Sequence, residues 1–155
     1  MLKKAKPYII SSVIALAVGG VSTLLTKDAM KDYENLSKPA LSPPQAVFPI
    51  VWTILFILMG ISSAKVYTKS HGAAKGSMLV YGIQLGVNFF WTIIFFGSKS
   101  FLFAFFWLLF LIALVIDMIY MFSKHSLWAG LLQLPYLVWL CFAAYLNLMV
   151  HLMNK

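Results

Sequence analysis

The chain has 155 residues, of which 62% are hydrophobic and only 10% are charged, and its mean hydropathy is +0.90. Soluble domains have about 45–50% apolar and about 25% charged residues, so this composition excludes a water-soluble globule. The net charge of +8 comes from twelve lysines, no arginine and four acidic residues. Because arginine is the usual residue for bidentate recognition of phosphates and bases, this balance argues against a nucleic-acid partner.

Five long apolar runs predict an all-α membrane protein, a bundle of five transmembrane helices in a single domain over residues 1–155. Each run has about the 20 residues that a helix needs to cross the hydrocarbon core at about 1.5 Å per residue. The later connections are too short for a separate soluble domain. The predicted spans are about 8–26, 47–67, 77–97, 101–122 and 127–153.

The first run follows Lys3, Lys4 and Lys6, which also resemble the basic start of a signal peptide. The run is longer than the about 7–15 residues of a signal-peptide core and is followed by Lys27 and Asp28, so a retained helix is predicted. With five spans, seven lysines without an acid share the N-terminal side, against five lysines and three acids opposite. The positive-inside rule then predicts an N-terminus inside the cell.

Residues 27–46 form the only long predicted connection. Pro39, Pro43 and Pro44 fix their own backbone and disfavour helix in the residues before them, so the segment is expected to be stiff and extended. A plain solvated turn is the alternative interpretation. Since the other connections are minimal, a loop of this length favours a functional lid over the end of the bundle.

The third run places Gln84, Asn88 and Trp91 at i, i+4 and i+7, on one face of the predicted helix. Amides inside a membrane must find hydrogen-bond partners, so this face is expected to point into the bundle. Two interpretations remain open at this stage. The groups either hold helices together by interhelical hydrogen bonds or line a cavity.

Two other spans add aromatic groups at helical spacing. In the fifth span, Trp139 and Asn147 share a face, and in the second span Trp52 and Phe56 lie one turn apart. Trp139 is about a dozen residues from either end of its span, too deep for an interfacial belt residue. Indole, aliphatic and amide groups together predict a site for a flat hydrophobic ligand.

Conventional catalytic and metal sites have no candidates in the sequence. His71, His125 and His151 lie in loops or at span ends without a metal-ligand spacing, so neither a zinc site nor a haem axial ligand is predicted. Asp117 is the only carboxylate inside a span. It is functional by default but also lies about two turns from Lys124, so a structural role stays open.

Motifs in three spans and the long loop resemble the translocator protein family, also called TspO/MBR or tryptophan-rich sensory proteins and peripheral-type benzodiazepine receptors. The resemblance covers nearly the whole chain in the right order. The matching blocks are Tyr33, Lys38-Pro39, Pro43-Pro44, Phe48-Pro49, Trp52 and Gly60, then QLGVNFFWTIIFFG over 84–97 and LPYLVWLCFAAYLN over 134–147.

The resemblance implies a five-helix protein of the bacterial cell membrane, commonly a homodimer, with its pocket beneath the first long loop. The implied ligands are protoporphyrin and isoquinoline carboxamide or benzodiazepine-type drugs. The porphyrin is a ligand or substrate and not a haem cofactor held by an axial residue, so no cofactor is expected. By position, the implied ligand-binding residues are Tyr33, Pro43, Trp52, Phe56, Asn88, Trp91, Trp139, Ala143 and Leu146.

Bacterial members of the family are associated with light- and oxygen-dependent breakdown of protoporphyrin, which makes Trp52 and Trp139 the catalytic candidates. Two alternative functions are a transporter of porphyrins or small apolar molecules and a ligand-responsive sensor that acts through a protein partner. The transporter has less support, because five spans show no inverted repeat and only one intramembrane carboxylate.

Cholesterol is not a predicted ligand. Animal members have a motif late in the fifth span that needs a tyrosine followed by a basic residue, and here Leu148 and Leu152 occupy those positions. Such motifs are weak indicators even when complete. Membrane lipid in general is the expected surrounding.

Overall fold

The computed structural model describes residues 1–155 and is entirely helical. Five segments are long and apolar enough to cross a membrane, which confirms the predicted five-helix membrane protein; the fifth consists of two helices. In chain order the helices are α1 (Leu2–Glu34), α2 (Val47–Lys69), α3 (Lys75–Thr92, continued by a π-helical turn over Ile93–Gly97), α4 (Phe101–His125), α5 (Leu127–Leu131) and α6 (Leu134–Met153).

The fifth span is interrupted by a turn at Leu132 and Gln133. Pro135 stands in the first turn of α6 and has no N–H to offer the carbonyl of Leu131. The ladder of helical hydrogen bonds therefore breaks at this point, and α5 and α6 follow each other as separate helices.

The connection between the first two spans is shorter than predicted. Residues 27–34 continue α1, so the predicted loop over 27–46 is wrong in its first part and only residues 35–46 are irregular. The segment 27–34 contains no glycine or proline and includes alanine, methionine, lysine and glutamate, which favour helix. The end of the apolar run marks where the helix meets the membrane surface, and the helix itself goes on.

Small residues bring the helices together in the half of the bundle away from this loop. A Cβ atom at Gly60 of α2 would collide with the backbone of Ser12 in α1. A Cβ atom at Gly130 of α5 would likewise overlap the Ser123 side chain of α4. Such close approach is the usual role of small residues between membrane helices, where dispersion contacts replace the hydrophobic effect.

Candidate functional site

A cavity of about 850 Å³ lies on the loop side of the bundle between α1, α2, α3 and α6. This volume is within the range of about 300–1,000 Å³ that is typical of sites for small molecules. Its wall consists of Leu16, Gly19, Gly20, Ser22, Thr23, Leu24, Met30 and Tyr33, then Gln45, Ala46, Phe48, Pro49, Trp52, Thr53 and Phe56, then Asn88, Trp91, Thr92, Phe95 and Phe96, and finally Ala143, Leu146 and Asn147.

Aromatic rings form one continuous side of this cavity. The ring centroids of Trp52 and Trp91 are 6.2 Å apart, and Trp52 also packs against Phe56 at 5.6 Å. Trp91 stacks on Phe95 at 5.6 Å, and the π-helical turn places Phe96 on the same wall. Centroid separations of about 4.5–7 Å are those of interacting aromatic pairs, so these rings pack together as one apolar surface.

The amides of α3 connect this wall to α6. The Asn88 Nδ2 donates to the Tyr136 hydroxyl at 2.8 Å, and that hydroxyl donates to the Gln84 Oε1 at 2.8 Å. Asn88 lines the cavity, whereas Gln84 and Tyr136 are buried beside it. The two interpretations of this face are therefore both right for different residues, since Gln84 holds helices together and Asn88 also faces the site.

A second set of hydrogen bonds fixes the orientation of one indole. The Trp91 Nε1 donates to Asn147 Oδ1 at 3.2 Å, and the Asn147 Nδ2 donates to the backbone carbonyl of Phe101 at 2.7 Å. With its N–H occupied, Trp91 presents only its ring to the cavity. A ring held in this way loses little conformational entropy when a flat molecule stacks on it.

Seven of the nine residues that the resemblance implied lie on the cavity wall, and two do not. The seven are Tyr33, Trp52, Phe56, Asn88, Trp91, Ala143 and Leu146. Pro43 lies in the loop outside the wall. Trp139 is half-buried, and its ring packs edge-on against Phe48, which does line the cavity, at 5.9 Å. The Nε1 of Trp139 is buried without a hydrogen-bond partner.

Sequence reasoning assigned no site residue to the apolar part of α1, yet Gly19, Ser22 and Thr23 belong to the wall. A signal was present, because glycine, serine and threonine recur there in an otherwise aliphatic helix. Phe95 and Phe96 were missed as well. Phe95 continues the spacing of Gln84, Asn88 and Trp91 at i+11, so the pattern could have found it, whereas Phe96 reaches the wall through the π-helical turn.

The loop over residues 35–46 is fastened across the end of the bundle. The Ser37 N–H donates to Asn154 Oδ1 at 3.0 Å, and the Asn154 Nδ2 donates to the Ser37 carbonyl at 2.8 Å. The Lys38 ammonium donates to the carbonyls of Tyr33 and Glu34, both at 3.1 Å. A cation at this place satisfies the last carbonyls of α1 and complements the helix dipole.

Charged residues lie outside the cavity. Lys99 pairs with Asp32 at 2.9 Å and joins the α3–α4 turn to the end of α1. Asp117 is exposed on α4, away from the cavity, and forms no ion pair. No group of three or more metal-ligating side chains occurs in the structure. The cavity wall is mainly aromatic and aliphatic, with a few amide and hydroxyl side chains.

A profile described as the TspO/MBR family matches residues 11–153. This chain belongs to the TspO/MBR family. It is 38% identical over 144 residues to the tryptophan-rich protein TspO of Chlorobaculum tepidum, with 91% of each chain covered. The tryptophan-rich sensory protein of Cereibacter sphaeroides is 36% identical over 115 residues, or 74% of this chain and 72% of that one.

A sheep translocator protein is 32% identical over 118 residues, which cover 74% of this chain and 70% of the relative. The predicted family resemblance is therefore confirmed. Family membership and five apolar helices together identify an integral membrane protein of the TspO/MBR family.

Proposed function

We propose that this protein binds protoporphyrin in the cavity beneath the first loop and promotes its breakdown in the presence of light and oxygen. The observation that supports this most directly is the pair of indoles, Trp52 and Trp91, on the wall of a cavity of about 850 Å³. A flat macrocycle is the kind of ligand that stacked indole and phenyl rings recognise. Isoquinoline carboxamides and benzodiazepine-type molecules are proposed to use the same surface.

Trp139 is part of this proposal although it does not line the cavity. Its Nε1 is a buried donor without a partner, and buried donors are normally satisfied. Phe48 lies against its ring, so a ligand that displaces the Phe48 side chain reaches the Trp139 indole. A ligand acceptor placed there would then complete the missing hydrogen bond.

The proposed chemistry uses the ligand as the light absorber and dioxygen as the oxidant. An excited porphyrin accepts one electron from an adjacent indole and passes it to dioxygen, which leaves an oxidised indole, an unchanged porphyrin and superoxide. The reactive oxygen species then attacks the macrocycle within the cavity. The loop over 35–46 keeps bulk water away from these species.

The test is an absorbance and fluorescence titration of the purified protein with protoporphyrin. Saturable quenching of tryptophan fluorescence in the dark is expected, followed by loss of the porphyrin absorbance under illumination in air. The double substitution Trp52→Phe with Trp139→Phe should slow that loss strongly and keep much of the binding, because phenyl rings preserve the apolar surface but are poorer electron donors. Adding Trp91→Phe removes the remaining indole of the wall and should abolish the loss.

Trp128→Phe is the matched control, because this indole is 67% exposed on α5 and lies outside the cavity wall. It should behave like the wild type in both measurements. Breakdown at the wild-type rate by the triple variant, which lacks Trp52, Trp91 and Trp139, would rule out the indole mechanism, and absence of saturable quenching by the wild type would rule out the site itself.

We further propose that the protein is a homodimer in a bacterial cell membrane with its N-terminus inside. The distribution of lysines supports the orientation, because those on the N-terminal side have no acidic residues among them. Labelling of single cysteines at residues 3 and 155 in intact cells, in a Cys141→Ala background, tests the orientation.

A further inference from the structure

The loop end of the cavity is tied down at three places. Ser37 and Asn154 exchange two hydrogen bonds, Lys38 binds the last carbonyls of α1, and Lys99 pairs with Asp32. The first two contacts hold the loop itself, and the third holds the helix end beside it. An entrance through the loop would require several of these contacts to break together.

The side of the cavity between α1 and α2 is different. These helices touch where Ser12 meets Gly60, and again where Gly19 meets the Phe56 ring. Gly20, the next residue of α1, lines the cavity and is nevertheless exposed, with open space where a Cβ atom would stand. The cavity therefore has a lateral gap, which we call the α1–α2 opening.

The residues on both sides of the opening line the cavity and are also exposed. On α1 these are Gly20 and Leu24, the latter 67% exposed, and on α2 they are Pro49 and Thr53. The Thr53 hydroxyl donates to the Pro49 carbonyl at 2.7 Å, so it is satisfied within its own helix. The opening is thus bordered by apolar atoms.

The opening lies at the depth of lipid and not of water. Gly20 is six residues from Thr26, where the apolar run of α1 ends, and Thr53 is six residues from the start of α2 at Val47. Six residues of helix correspond to about 9 Å, which puts both residues inside the hydrocarbon region. A molecule at the opening comes from the membrane.

Two lysines of α1 lie on the loop side of the opening, beyond the apolar run of the helix. Lys27 and Lys31 follow Gly20 and Leu24 on the same face of α1, at spacings of seven and eleven residues from Gly20. Both are exposed, and only Lys31 has an acidic partner, Asp28 at 3.3 Å. A cation near the membrane surface attracts anionic groups there while the apolar part of the same molecule stays in lipid.

We infer that ligands enter this cavity sideways from the bilayer through the α1–α2 opening, and that the preferred ligands are flat apolar molecules with carboxylates that Lys27 draws to the surface. The inference rests on the proposed function in one respect, that the cavity binds a flat ligand. It adds a route, a face of the protein and a charge requirement.

The experiment measures association and dissociation rates of protoporphyrin in the dark, by tryptophan quenching after mixing protein-containing vesicles with porphyrin-loaded vesicles. Gly20→Phe and, from the other side, Thr53→Phe should slow both association and dissociation by about tenfold, because they obstruct a passage. The equivalent controls outside the cavity are Gly82→Phe, which also has open space around its Cβ, and Ile54→Phe.

Two further variants separate the route and the charge. The double substitution Asn154→Ala with Lys38→Met removes both contacts that hold the loop, and it should leave the association rate of the uncharged dimethyl ester of protoporphyrin unchanged. Lys27→Gln should slow association of protoporphyrin by about threefold at low salt and should not affect its uncharged dimethyl ester, since the attraction is electrostatic. Lys155→Gln, on the same side of the membrane, is the control for charge.

Three results would overturn the inference. If Gly20→Phe and Thr53→Phe both speed dissociation and leave association unchanged, these residues contact the bound ligand and do not form its entrance. A several-fold faster association of the ester in the variant with Asn154→Ala and Lys38→Met would place the route at the loop, and equal effects of Lys27→Gln on the acid and the ester would remove the charge requirement. If protoporphyrin does not bind the wild type, the proposed function fails, and the same rates measured with a lipid-soluble isoquinoline carboxamide still decide the route.

Discussion

The two halves of this bundle are built from the same helices but in opposite ways. Away from the loop, glycines and serines let α1 touch α2 and α4 touch α5. On the loop side, Trp52, Trp91 and Phe95 keep the helices apart and line a cavity. The size of the side chains between helices therefore decides where the helices of a membrane bundle touch and where they enclose a cavity.

The largest effect is expected away from the loop, where the helices touch. Gly60→Leu should lower the free energy of unfolding by about 3 kcal/mol, because its side chain meets the backbone of Ser12, which cannot move aside cheaply. Circular dichroism of the purified protein during denaturation in detergent measures the change. Gly86→Leu on α3 has open space around its Cβ and should be nearly neutral; equal losses in both variants would refute this picture of the packing.

A smaller effect is expected where the two halves meet. Tyr136→Phe removes the hydroxyl that links Asn88 and Gln84, so two buried amides each lose a partner. The expected loss is about 1–2 kcal/mol, since hydrogen bonds between membrane helices contribute modestly. The same denaturation assay applies, with Tyr145→Phe on the exposed side of α6 as control. A loss no larger than that of the control would mean that the network contributes nothing to stability.

The smallest effect is expected at the loop end of the cavity, where α1 ends. Lys38→Met removes the cation that binds the carbonyls of Tyr33 and Glu34 and should cost about 0.3–1 kcal/mol. Because the loss is local, hydrogen exchange of the amides in the last turn of α1 is the measurement, with Lys155→Met as control. Unchanged protection of those amides would show that the cap has no effect on the helix end.

The number of spans and part of the cavity wall were predictable from the sequence. The length of an apolar run reports a membrane crossing directly, because lipid cannot satisfy free backbone N–H and C=O groups. The i, i+4, i+7 spacing of Gln84, Asn88 and Trp91 correctly predicted that this face of α3 points into the bundle. The family motifs then supplied seven residues that the cavity wall contains.

Two features were not predictable in the same way. The end of α1 was misplaced because the charged residues after Thr26 end the apolar run without ending the helix. The environment of Trp139 depends on the Phe48 ring of another helix, and periodicity within one helix has no information about that contact. Spacing identifies which residues share a face, whereas the rotation of neighbouring helices decides what that face meets.

The extension of α1 beyond its apolar run places one end of the cavity outside the hydrocarbon region. The segment 27–34 adds about 12 Å of helix above the hydrocarbon, and Met30 and Tyr33 of this segment belong to the cavity wall. The cavity therefore extends from a region of low dielectric constant into one of high dielectric constant. A molecule with an oily body and charged ends can occupy it with each part in the surroundings where its free energy is lowest.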